Sequence, residues 1–172
     1  MIPFATLNAI GRAQFVATLG GIFEHSPWVA ERAFMRRPFA GVEDLHRAMC
    51  DAVTAATTDE KLALIRAHPE LAGKAAIRGE LTDASTKEQS GAGLSQCSPE
   101  EYDEITDLNA RYNRRFGFPF ILAVRGHTRG TILAAMRTRV ANERDAEISE
   151  ALRQIERIAL FRLADLLGPG GV

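Results

Sequence analysis

Three features of this sequence predict an all-α fold. Apolar residues recur at helical spacing from end to end, helix-capping residues precede most of those runs, and alternating apolar and polar stretches between turn signals are nearly absent. Asn8 is placed to cap a first helix whose Phe15, Leu19 and Ile22 share one face, with Gly20-Gly21 weakening its end. Ser26-Pro27 reads as an N-cap followed by proline at the first helical position, opening a short helix that Pro38 stops. A third helix from about Val42 turns Leu45, Met49, Ala52, Val53 and Ala56 inward. Thr57 and Glu60 form a capping box for a fourth, carrying Leu62, Ile65 and Arg66. It ends near His68, because Pro69 disfavours α geometry in the residue before it.

From Glu70 to Asp83 the pattern loosens into a long surface connection with at most a short helical turn. Ser85 and Glu88 then read as a second capping box. Ser98-Pro99-Glu100-Glu101 opens the clearest helix, in which Tyr102, Ile105, Asn109, Tyr112 and Phe116 follow one another at steps of three and four, and Gly117 closes it. The run from Phe118 to Val124 is continuous, apolar and flanked by breakers, which suits a buried extended stretch. Two helices follow, one around Ile132, Met136 and Val140, the other from about Asp145 to Leu167. About eight helices therefore make one compact, bundle-like domain over residues 1–168, with 169–172 as a flexible tail.

Composition excludes several function classes. The chain has 172 residues, and 21 Lys and Arg against 22 Asp and Glu leave a formal net charge of −1. Phosphate-backbone binding needs a basic footprint, so nucleic acid is not an expected partner. No apolar run reaches the length of a membrane span or the form of a secretory signal. Cys50 and Cys97 lack C-x-x-C spacing, in keeping with a reduced, cytoplasmic protein. His25, His46, His68 and His127 are too widely spaced to suggest a metal site. There is neither a G-x-S-x-G elbow nor a phosphate loop. What remains, if the chain is an enzyme, is acid–base chemistry.

His68 is the leading candidate for it, since a histidine at a helix break can project into a cleft and titrates near neutrality, although a helix C-terminus also favours histidine through the macrodipole. Glu88 has a structural alternative as well, satisfying backbone donors in the Ser85 box. Arg162 is the most informative anomaly. The stripe Ile148, Leu152, Ile155, Ala159 steps onto it before Leu166 resumes the face. An arginine there must be paired, meet an anion or snorkel, because an unpaired buried charge is costly. Asn109 on the Tyr102 to Phe116 stripe reads as a buried amide locking helix to helix. A non-catalytic helical adaptor fits these residues too, but gives Arg162 no reason to sit on a core-facing stripe.

Several motifs together resemble the OHCU decarboxylase family. They are His68-Pro69-Glu70-Leu71, Ser85-Thr86-Lys87-Glu88-Gln89 continuing to Ala92-Gly93-Leu94, Asn109-Ala110-Arg111-Tyr112, and Phe116-Gly117-Phe118-Pro119-Phe120-Ile121. Ser26-Pro27-Trp28, Arg37-Pro38-Phe39, Arg157-Ile158-Ala159 and Arg162-Leu163 extend the similarity over nearly the whole chain. The resemblance implies an all-α, cofactor-free carboxy-lyase that pairs as a homodimer. Its substrate would be 2-oxo-4-hydroxy-4-carboxy-5-ureidoimidazoline, in the ureide pathway downstream of uricase and hydroxyisourate hydrolase. A related ureide isomerase or decarboxylase would look much the same. By resemblance His68 is the general acid, Glu88 the essential glutamate and Arg162 the arginine of the last helix, with Arg157 one small alignment shift away. Pro69, Ser85, Thr86, Lys87, Glu88 and Gln89 would line the substrate pocket with the backbone of Phe120, Ile121, Leu122, Ala123 and Val124. The tail Gly170-Gly171-Val172 lacks a peroxisomal address, which implies a cytoplasmic enzyme.

Overall fold

The computed structural model describes residues 2–168; the expected tail at 169–172 lies outside them. The described residues form ten α-helices and two short 3₁₀ turns, with no strand, so the all-α expectation holds. Two compact units divide the chain: 2–67 with 156–168, and His68–Ile155.

The first unit begins with α1 (Phe4–Ala9), α2 (Arg12–Leu19), α3 (Trp28–Ala33), α4 (Val42–Thr54) and α5 (Thr58–Arg66). Asn8 does not cap a helix. It lies inside α1, and its amide group bonds both backbone groups of Phe39, donating to the carbonyl at 2.9 Å and accepting from the N–H at 2.9 Å. That pairing uses the side chain a cap would have needed, and α2 starts instead after Gly11 with no side-chain cap. Ser26 is likewise not a cap. Pro27 already has helical dihedrals at the entrance of α3, and no side chain bonds the first turn. Arg37 fastens this region by donating to the carbonyls of Asn8 at 3.0 Å and Ile10 at 2.8 Å while lying over the Phe34 ring at 3.5 Å. Both halves of the Thr57–Glu60 box are present, and Leu45, Met49, Ala52, Val53 and Ala56 are buried, as the spacing of α4 requires.

Cys50 lies one turn from His46, whose Nε2 is 2.8 Å from the Glu156 carbonyl and 3.3 Å from Cys50 Sγ. Burial, helped by the negative charges of Glu156 and Asp51, pushes the Cys50 thiol up to about 12. The folded state thus holds a proton that the unfolded chain gives up near its ordinary thiol range of about 8.5. Its stabilising contribution is complete below that range and is lost as the pH rises toward about 12. Urea unfolding at pH 8 and pH 10.5 is expected to show a smaller alkaline loss of stability in Cys50→Ala than in the unsubstituted chain.

The second unit contains α6 (Lys74–Ile77), α7 (Asp83–Gly91), α8 (Pro99–Phe116) and α9 (Arg129–Arg139), together with the start of α10 (Arg144–Leu167). The α8 start is as expected, with Ser98 and Glu101 completing their box and Gly117 left-handed at the end, φ 77°. A bidentate pair of Arg137 with Glu104, at 2.6 and 2.7 Å, joins α9 to α8. Tyr112 packs tilted against Phe116 and edge-to-face with Phe118 and Phe120, with ring centroids 4.5, 5.9 and 5.4 Å apart. The run Phe118 to Val124 is buried throughout and non-helical.

Two expectations need correction here. The capping box at Ser85 and Glu88 does not form, because Thr82 caps α7 instead, accepting from the Ser85 N–H at 3.3 Å. Ser85 is therefore inside the first turn, and Glu88 is one turn further on. On α10 the buried stripe is Ala151, Ile155, Ile158, Ala159 and Leu163, whereas Ile148, Leu152 and Leu166 are partly exposed. The buried face also includes Glu147 and Gln154, polar residues that displaced the apparent apolar pattern by about one position.

Candidate active site

The segment carrying His68 follows the end of α5 and is held within the second unit by amide side chains. Gln89 on α7 is buried and takes two of its backbone groups, accepting from the Ala72 N–H at 2.9 Å and donating to the Glu70 carbonyl at 3.3 Å. Asn109 on α8 donates to the Leu71 carbonyl at 2.9 Å, so the amide on the α8 stripe locks helix to loop, not helix to helix. One turn on, Asn113 donates to the Glu70 carboxylate. Two further features make this loop tight. Ala72 sits at φ 49°, and a Cβ on Gly73 would fall 2.7 Å from Glu70 Cβ. A loop tied at residues 70, 71 and 72 from two helices is a rigid base for the His68-Pro69 pair that precedes it.

His68 itself is 7% exposed. On α7, Ser85 and Gln89 are buried, Glu88 is half-buried, and Thr86 and Lys87 face outward. The loop and α7 are thus joined through Gln89, with His68 on one and Glu88 on the other. Thr86 and Gln89 also line a cavity of about 530 Å³, together with Ala72, Leu94, Cys97 and Tyr102 among others, and no charged side chain borders it.

The Phe120–Val124 segment belongs to the same unit and is held through its backbone. Arg139 Nη1 donates to the Ile121 carbonyl at 2.7 Å, and the Ala123 N–H donates to Gln154 Oε1 at 2.9 Å. Behind Arg139 stands Glu147, fully buried, which also accepts from the Tyr112 hydroxyl and from Asn142 at 2.8 Å. Burial and the Glu147 carboxylate push the Tyr112 phenol well above its ordinary range, so it remains a donor.

Sequence reasoning missed Arg139, Glu147 and Gln154. A signal was present for Arg139, because Ile132 and Met136 step by three onto it just as the last helix steps onto Arg162. Choosing Val140, the step of four, hid it.

Arg162 belongs to the first unit and is buried there. Its Nη1 meets Glu24 Oε2 at 2.7 Å and approaches the carbonyls of Gly21 and Ile22 at 3.5 and 3.4 Å. Glu24 is 2% exposed and was not anticipated. Its signal was weak, an acidic residue between Phe23 and His25 with no helical pattern around it. Arg157, the alternative family arginine, is exposed and lies 5.7 Å from the Phe161 ring centroid. Among the described residues no group of three or more His, Cys, Asp or Glu is placed to hold a metal ion, and no helix is long and apolar enough to cross a membrane.

Comparison with known proteins agrees with these motifs. The family model described as OHCU decarboxylase matches residues 8–164. The chain is 44% identical over 171 residues to the uric acid degradation bifunctional protein PucL of Bacillus subtilis, covering 99% of this chain and 34% of that protein. It therefore spans about a third of that bifunctional relative. It is 40% identical over 163 residues to the 2-oxo-4-hydroxy-4-carboxy-5-ureidoimidazoline decarboxylase of Halalkalicoccus jeotgali, covering 95% of this chain and 90% of that one. Among solved structures, an (S)-allantoin synthase is similar at 33% identity and TM-score 0.73, over 96% of this chain and 54% of that one. A family match across almost the entire length, and a relative of nearly equal extent, establish that this chain belongs to the OHCU decarboxylase family.

Proposed function

We propose that this chain decarboxylates 2-oxo-4-hydroxy-4-carboxy-5-ureidoimidazoline to (S)-allantoin and CO₂. The observation that carries the reading is Gln89, which ties the loop bearing His68-Pro69 to the helix bearing Glu88, the two family motifs that would supply acid and anchor. In the substrate the carboxylate sits on a carbon adjacent to a C=N bond. When the C–C bond breaks and CO₂ leaves, the electron pair delocalises into that bond, so an external electron sink such as pyridoxal or thiamine is not required. The ring nitrogen of that bond becomes an N–H, the hydroxyl gives up its proton as its carbon becomes the ring carbonyl, and the ureido-bearing carbon takes up one proton; the face on which that proton arrives sets the product's handedness.

In this scheme His68 delivers or shuttles that proton, a task suited to a group that titrates near neutral pH. Glu88 accepts from the substrate's hydroxyl or ureido N–H groups. Pro69 and the Ser85–Gln89 turn of α7 shape the pocket wall, and the backbone of Phe120–Val124 meets the ureido and ring heteroatoms. Arg162, the arginine of the last helix, is assigned a charge-balancing role by the family resemblance. As a homodimer of the cytoplasm, the protein would take its substrate from the hydrolysis of hydroxyisourate, itself the product of uricase.

The test is to generate the unstable substrate in situ from urate with uricase and hydroxyisourate hydrolase, and to follow optical activity. Accelerated appearance of dextrorotatory allantoin is the expected result. Racemic product at the uncatalysed rate refutes the reading.

A further inference from the structure

The second unit contains a buried charge cluster that the scheme above does not use. Arg139, at the end of α9, gives Nε and Nη2 to the Glu147 carboxylate at 3.1 and 2.9 Å and turns Nη1 onto the Ile121 carbonyl. Its guanidinium carbon also lies 4.4 Å from the Phe120 ring centroid. Glu147 is 0% exposed, and Tyr112 and Asn142 donate to it besides Arg139. From the next turns of α10, Gln154 accepts from the Ala123 N–H and donates to Glu150 at 2.7 Å.

Stability alone gives no reason for such an arrangement, since replacing a buried ion pair by apolar residues of similar volume is often neutral or stabilising. What the arrangement does supply is direction. A guanidinium is a rigid plane, so locking one edge on Glu147 fixes where Nη1 points. Two backbone groups of the segment, two residues apart, are thereby held from α9 and α10: the Ile121 carbonyl and the Ala123 N–H. These lie in the middle of the stretch whose backbone is assigned to the substrate.

We propose that Arg139, oriented by Glu147, and Gln154 are positioning residues that hold the Phe120–Val124 backbone in register for substrate recognition. The inference rests on the decarboxylase reading. Neither side chain touches the reacting atoms. Loosening the segment weakens contacts made alike in the ground state and the transition state, which raises KM and spares kcat.

Arg139→Lys keeps the charge opposite Glu147 but cannot span Glu147 and the Ile121 carbonyl with one planar group. Gln154→Met keeps the volume and removes the acceptor for the Ala123 N–H. In each folded variant, KM for the in situ substrate and the calorimetric Kd for (S)-allantoin are expected to rise about tenfold, with kcat within about threefold. If Arg139→Lys does not fold, Gln154→Met decides. Unchanged KM and Kd accompanied only by a lower Tm overturn the inference, since that is what a merely structural cluster would show. An unsubstituted chain that neither forms (S)-allantoin nor binds it overturns the decarboxylase reading, and this inference with it. An active unsubstituted chain with indifferent variants overturns the inference alone.

Discussion

Replacing His68 by asparagine is expected to lower turnover of the in situ substrate by about 10² to 10⁴, the usual worth of a positioned proton donor. The loop that carries it is tied down at residues 70, 71 and 72 by Gln89 and Asn109, none of which contacts the imidazole through these bonds. The fold should therefore survive, with the circular dichroism spectrum unchanged and Tm within a few degrees. The product that still forms in the variant should drift toward racemic, because uncatalysed protonation shows no preference between faces. Near-normal rate and handedness would remove His68 as the acid and shift attention to Glu88, whose Gln variant then becomes the informative one.

Arg162→Leu is expected to cost about 3–5 kcal/mol of stability in urea unfolding, the range for breaking a buried pair by removing one partner. The reason is Glu24, 2% exposed, whose carboxylate would lose the guanidinium 2.7 Å away. The sign of the pH dependence follows from the same geometry. Without Arg162 the buried carboxylate is easier to protonate in the folded state than in the unfolded chain, so the deficit should shrink as the pH falls from 7 toward 5. The double variant Glu24→Met with Arg162→Leu should recover most of the loss. It also separates two roles for the arginine. A folded double variant that turns over normally limits Arg162 to the ion pair, whereas a folded, inactive one supports its part in balancing substrate charge. A loss below about 1 kcal/mol in the single variant would show that the pair is not the buried bridge its geometry describes.

Much of the helical framework was legible because its signals are local. Thr57 with Glu60 and Ser98 with Glu101 are boxes whose partners lie three residues apart, and a helix start needs nothing from the rest of the chain. The same rule failed at Ser85 and Glu88, where Thr82, three residues upstream, captured the Ser85 N–H first. Local grammar allows both starts, and the placement of α7 against the 70–72 loop through Gln89 favours the earlier one. Asn8 shows the other kind of failure. Its cap chemistry is real, but its amide is spent on Phe39, thirty-one residues away.

By itself the sequence determined the fold class, the family motifs and the fact that an arginine on the last helix must meet a partner. Periodicity, capping and motif spacing are properties of residues close along the chain, and the cost of an unpaired buried charge follows from its chemistry wherever it sits. Only the tertiary structure decided which partners answer those demands: Glu24 for Arg162, Glu147 and a backbone carbonyl for Arg139, and two backbone groups for Gln89. Such pairings join residues 8 to 138 positions apart, and a polar side chain buried on an otherwise apolar face carries no mark in the sequence of the group it will meet.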